Sequence, residues 1–141
     1  MGYDIFSMRE DKAAAEAYAR KHTKWLFDAN GNYTGSEAVY YRLNIWGMGI
    51  LRQLNEKLGV EYLNNALWDN SGTVIRDWEC HEASEHLNGI PDEVIREAVQ
   101  EVVKGDEHLD NPEEIQAWVN EVRSWQEYLR ICGALKGCEV L

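Results

Sequence analysis

The stretch SEAVYYRLNIWGMGILRQLNEKLG, Ser36 to Gly59, decides how the rest of the chain is read. Its apolar residues Val39, Leu43, Trp46, Ile50, Leu54 and Leu58 recur at steps of three or four, the period of one face of an α-helix. Tyr40, Gly47 and Leu51 widen that stripe on one flank, and Tyr41, Ile45 and Met48 add a second flank. A helix apolar around so much of its girth is wrapped by a domain rather than laid on its surface. Ser36 is placed to cap its start and Gly59 to cap its end. Gly47 and Gly49 fall inside it, each costing about 1 kcal/mol relative to Ala. Close approach of a backbone or ligand, or a kink near Gly47, would explain them.

Toward the N-terminus, Tyr3 to Phe6 reads as a short strand or extended lead-in. Ser7 and Glu10 have capping-box spacing, which predicts a helix from about Met8 to Thr23. Lys24 to Thr34, with Asn30-Gly31 at its centre, has the syntax of a hairpin with a type I′ turn. Asp28, Asn30 and Asn32 could instead open a calcium loop. Tyr33 and Val39 stand where such a loop needs Gly and Glu, so the spacing fails.

Toward the C-terminus, Val60 to Leu67 predicts a short helix, Asp69-Asn70-Ser71-Gly72 a loop and Thr73 to Ile75 a brief strand. Trp78 to Asn88 carries a weak helical pattern. Pro91 opens a further helix that runs to about Lys104 and stops at Gly105. The last helix is the best delimited, with Asn111 as N-cap, Pro112 as first residue and Glu114 as box partner. Its residues Ile115, Trp118, Val122, Trp125, Leu129 and Cys132 form a heptad-like seam, expected to pack on the central helix. A homodimer through that seam is the alternative to a monomer.

The 141 residues suit one domain, residues 1–141. The net charge is −11, and residues 77–114 hold thirteen acids against two bases. That balance argues against direct nucleic-acid binding, which needs Lys and Arg to displace counterions. It permits a protein partner with a basic surface, imitation of nucleic-acid charge, or plain solubility. Cys80, Cys132 and Cys138 are odd in number and lack CxxC spacing, so neither a disulfide framework nor a structural zinc site is expected. No signal-peptide pattern and no apolar run of membrane-spanning length is present, so no membrane association is expected and the cytoplasm is the default location.

Four patches occur in an order that resembles a known group: MGYDIF at the start, Tyr40-Tyr41-Arg42-Leu43-Asn44-Ile45-Trp46, the Trp68-Asp69-Asn70-Ser71-Gly72 loop, and Tyr128-Leu129-Arg130 through Gly137-Cys138-Glu139-Val140. The chain is similar in these patches to small uncharacterised proteins of bacteriophages and actinobacteria. Those proteins begin MGYD and carry an aromatic-Arg-x-Asn-x-Trp block. It departs from them at Gly47-Met48-Gly49, where relatives are often rich in Trp and Pro, and in its Ala-rich segment near the start. The resemblance implies a phage or mobile-element context and no particular chemistry.

Two constellations carry candidate chemistry. In Cys80-His81-Glu82-Ala83-Ser84-Glu85-His86 the two histidines are five apart, which on a helix swings their rings about 140° from each other. His81 with Glu85, joined by His86, is therefore a weak metal set. The competing reading is an exposed face with His–carboxylate pairs four apart. The second constellation sets polar groups beside aromatics: Tyr41, Arg42 and Asn44 near Trp46, and Asp69 and Asn70 beside Trp68. These would line a pocket for a small anionic ligand if the 68–72 loop folds over the central helix. Otherwise Arg42 pairs internally with Asp69 or Asp4. No nucleophile motif and no phosphate loop is present, and the sequence calls for no cofactor.

The expectation is a mainly α single domain of about five helices, with at most a short N-terminal hairpin or strands. Its expected role is a non-catalytic binding or regulatory protein of phage type, one form being a host-defence antagonist acting through an acidic surface. The alternatives are a sequestering protein for a small molecule or nucleotide at Arg42, Asn44, Asp69 and Asn70, and a metal-dependent hydrolase at His81, Glu85 and His86.

Overall fold

A computed structural model describes residues 2–7, 40–68 and 71–141. The expected helix at 8–23, the hairpin at 24–34, the cap at Ser36, and Asp69 and Asn70 lie outside the described residues. In chain order the elements are β1 (Gly2–Ser7), β2 (Tyr40–Asn44), α1 (Ile45–Lys57), a 3-10 turn (Glu61–Leu63), α2 (Asn64–Leu67), β3 (Thr73–Ile75), α3 (Asp77–Asn88), α4 (Asp92–Val103), α5 (Pro112–Ala134) and β4 (Cys138–Val140). The domain is mainly α. Its strands form one antiparallel sheet in the order β2-β1-β4-β3. Among the described residues, no helix is long and apolar enough to cross a membrane.

The enclosed rod is α5, not the stretch from Ser36 to Gly59. The Asn111 side chain accepts from the Glu114 N–H at 3.0 Å and sets the start of α5, with Pro112 next. Its buried residues Val122, Trp125, Tyr128, Leu129, Ile131 and Cys132 face in several directions. The helix packs chiefly against α3 and α4, while its aromatic row meets the sheet. Tyr41 of β2 lies 5.2 Å from the Trp125 ring and 5.4 Å from that of Tyr128. The register pairs Tyr3 with Leu43 and Ile5 with Tyr41. These four side chains therefore share the sheet face turned to α5.

The expected long helix thus divides in two. Residues 40–44 pleat against β1, and the helix begins only at Ile45, where the Asn44 side chain accepts from the Gly47 N–H at 2.7 Å. Gly47 therefore sits in the first turn, beneath its cap, and not in a helix interior. The buried face of α1 is Met48, Leu51, Leu54, Asn55 and Leu58. Of the described members of the expected stripe, Leu54 and Leu58 are buried, Leu43 and Ile50 are half-buried against the core, and Trp46 is 82% exposed. Gly59, at φ 85°, ends the helix as expected.

Two devices lock the helices together. Arg123 of α5 reaches the α3–α4 turn, donating to the carbonyls of Leu87 (2.8 Å) and Ile90 (2.6 Å) and to Asp92 (2.7 Å). At the other end of α5, a Cβ on Gly133 would lie 2.9 Å from the backbone nitrogen of His81. Helices α3 and α5 cross there at backbone contact.

Helix propensity alone says that Gly133→Ala should stabilise the protein by about 1 kcal/mol. The crossing reverses that sign: the expected result is a loss of about 1–3 kcal/mol, from overpacking against backbone. Urea unfolding of the two proteins checks it, and equal or greater stability of the variant would disprove the tight crossing.

Candidate functional site

Segment 42–53 faces segment 106–121 along a seam that holds two clefts. The larger, roughly 600 Å³, is lined by Ile45, Trp46, Gly49 and Ile50 of α1, with Leu109, Asp106 and His108 opposite. The loop that forms its opposite wall is fixed by its own hydrogen bonds. Asp106 Oδ1 accepts from the N–H groups of His108 (2.8 Å) and Leu109 (3.0 Å), and Asp110 Oδ2 accepts from Gly105 N–H at 2.9 Å. At the end of this cleft Arg52 donates to the Leu67 carbonyl at 2.6 Å. Its guanidinium lies 4.4 Å from the centre of the Trp68 ring. Trp68 is itself 63% exposed.

The smaller cleft, roughly 350 Å³, is lined by Arg42 and Leu43 of β2 and by Ala117, Trp118 and Glu121 of α5. Arg42 pairs with Asp4 across the sheet at 3.1 Å. Both partners are substantially exposed, so the pair adds little stability. Glu121 is half-buried and accepts the Tyr41 hydroxyl proton at 2.5 Å. Burial, and then the Glu121 charge, push the Tyr41 phenol well above its ordinary pKa.

Of the pocket residues expected from the sequence, Asp69 and Asn70 lie outside the described residues, and the described ones take different places. Tyr41 is core. Arg42 borders the smaller cleft, and of the two internal partners weighed for it, Asp4 is the one the structure shows. Asn44 is the cap of α1. Trp46 lines the larger cleft, and Trp68 stacks on Arg52. Trp118 and Glu121, opposite Arg42, were not expected to face it, since no local pattern links positions so far apart.

The His81, Glu85 and His86 set is similarly divided. His86 Nε2 lies 2.8 Å from the Leu58 carbonyl at the end of α1, a helix-capping contact. The His81 backbone is the surface against which Gly133 packs. Among the described residues, no group of three or more His, Cys, Asp or Glu side chains is arranged to hold a metal ion.

The cysteines do converge, although their spacing gave no sign of it. Cys80 of α3, Cys132 of α5 and Cys138 of β4 are free thiols with no solvent exposure. Hydrogen bonding of the protonated Cys138 thiol with the Cys132 and Cys80 side chains, and then burial, push it well above its ordinary pKa. Burial, and then the nearby Cys132, do the same for the Tyr128 phenol.

No protein-family model, curated protein or solved structure matches the chain.

Raised pKa values in the folded state give stability that is complete below the unfolded values, near 9.0 for Cys138 and 10.0 for Tyr41 and Tyr128. Above them the unfolded chain releases these protons more readily than the folded one, so stability falls as pH rises. Urea unfolding under reducing conditions should therefore show constant stability to about pH 9, then a decline of about 1.4 kcal/mol per pH unit for each group engaged. Cys138→Ala should delay the onset, and a flat profile to pH 11 would contradict the assignment.

Proposed function

We propose that this is a non-catalytic binding protein that engages a protein partner with a basic surface along the seam between segments 42–53 and 106–121. The observation that carries the reading is Trp46. It stands 82% exposed beside Ile45 and Ile50, over a cleft whose opposite wall carries the Asp106 carboxylate, fixed by its own hydrogen bonds. Trp residues are over-represented among the few side chains that dominate interface energetics. A wall already fixed by its own hydrogen bonds lowers the ordering cost of binding. The net charge of −11 favours encounter with a cationic surface.

The resemblance to phage and actinobacterial proteins supports a concrete form: an antagonist that occupies a basic surface of a host-defence protein, one that otherwise takes nucleic acid. A small anionic ligand at Arg42 has less support. Asp4 already pairs with the guanidinium, and Glu121 faces the same cleft.

The test is affinity capture from bacterial lysate by wild-type and Trp46→Ala proteins, from low salt up to about 0.5 M. Basic proteins should be retained by the wild type, weaken with salt, and fall by about tenfold or more with Trp46→Ala. Because Trp46 is exposed, the variant keeps the fold, which its thermal unfolding checks. Equal capture by both proteins would overturn the reading.

A further inference from the structure

We infer that the partner is received at the smaller cleft as an extended segment that adds to the outer edge of β2 and places a Lys or Arg side chain on Glu121. This rests on the protein-binding reading and specifies its form. The sheet order puts β2 at one end, and among the described residues no strand pairs with its outer edge. Every second residue of an edge strand turns its N–H and C=O outward, a ready template for another chain. At five residues β2 is the longer of the two edges, since β3 has three.

The cleft lies on that edge. Arg42 and Leu43 are successive strand residues, so their side chains leave opposite faces of the sheet. A cleft that touches both, and α5 as well, wraps the open side of the strand. Its far wall then selects what enters. Trp118 and Ala117 offer apolar surface for the methylene shaft of a long side chain. Beyond them, the Glu121 carboxylate is held in place by the Tyr41 hydroxyl and is joined to no cation among the described residues. A half-buried carboxylate without a counter-charge favours a guanidinium or ammonium, and a tryptophan face at its side does the same. The Arg42–Asp4 pair is neutral as a unit and does not oppose this. Backbone pairing would supply affinity, and the Glu121 contact would supply register and choice of side chain.

The experiment is an NMR titration of the 15N-labelled full chain with the blocked pentapeptide Thr-Val-Lys-Val-Thr. Two control peptides carry Glu in place of Lys, or N-methyl groups along the backbone. The Lys peptide should shift the amides of residues 40–44 and the Trp118 indole, and should slow hydrogen exchange along β2. Glu121→Gln, the Glu peptide and the N-methyl peptide should each bind about tenfold or more weaker. The N-methyl control needs no protein variant, so the test survives if Glu121→Gln disturbs folding. Equal binding of the N-methyl peptide would show side-chain capture without strand addition and overturn the inference. Equal binding of the Glu peptide, or no shift at about millimolar peptide, would also overturn it. Trp46→Ala should leave this titration unchanged. A failed titration with capture through Trp46 intact therefore removes only the strand mode, and the converse removes only the Trp46 reading.

Discussion

The Tyr128 hydroxyl, wholly excluded from solvent, donates to the carbonyl of Ile5 at 3.0 Å, and the architecture is arranged around that contact. β1 is an inner strand, with β2 on one side and β4 on the other. Its Ile5 faces Val140 near the chain's other end. The long helix therefore holds the sheet through a residue 123 positions away. The aromatic group of Tyr41, Trp125 and Tyr128 fills the space between helix and sheet. Contacts of such sequence separation carry a large loop-closure cost before they contribute anything. The hydrogen bond and the aromatic packing have to form together, and the Arg123 strap and the Gly133 crossing then fix α3 and α4 against the same helix.

Elements whose ends are set locally were legible from the sequence. Asn111, Pro112 and Glu114 define the start of α5 within four residues, and Gly59 and Gly105 mark helix ends because both adopt positive φ. The stretch from Val39 to Trp46 misled because its pattern admits two periods. Leu43 follows Val39 by four, as on a helix, yet Tyr41 and Leu43 also alternate with Arg42 and Asn44, as on a strand. The partner that resolves the ambiguity, β1, lies more than thirty residues upstream and leaves no trace in the local pattern. β4 is as short as β3 but less marked: Thr73-Val74-Ile75 is wholly β-branched, whereas Cys138-Glu139-Val140 has a single β-branched residue. For the site, Arg42 and Trp46 were marked by polar groups set beside aromatics. Glu121, off the apolar seam by which its helix is read, carried no such mark.

Charge and shape meet at the seam. One wall, from residues 42–53, holds Arg42 and Arg52 and no acid, and the other is drawn from the strongly acidic second half of the sequence. The acids of α4 and the 105–110 loop are exposed. On the proposed reading, a cationic partner is steered to the acidic wall before contact, since opposite charge orients encounter. Exposed charges of this kind act mainly on encounter rate and salt dependence. Lasting affinity has to come from apolar anchors such as Trp46 and from backbone pairing.

The sealed thiols have a chemical consequence. Cys80, Cys132 and Cys138 sit on three different elements and share one solvent-free compartment. An alkylating reagent meets none of them in the native protein, since the reactive thiolate requires both access and ionisation. The pace at which the three become labelled would report how the domain comes apart. Simultaneous modification would mean that β4, α3 and α5 part as one unit, whereas early modification of Cys138 would mean that the C-terminal strand frays away first.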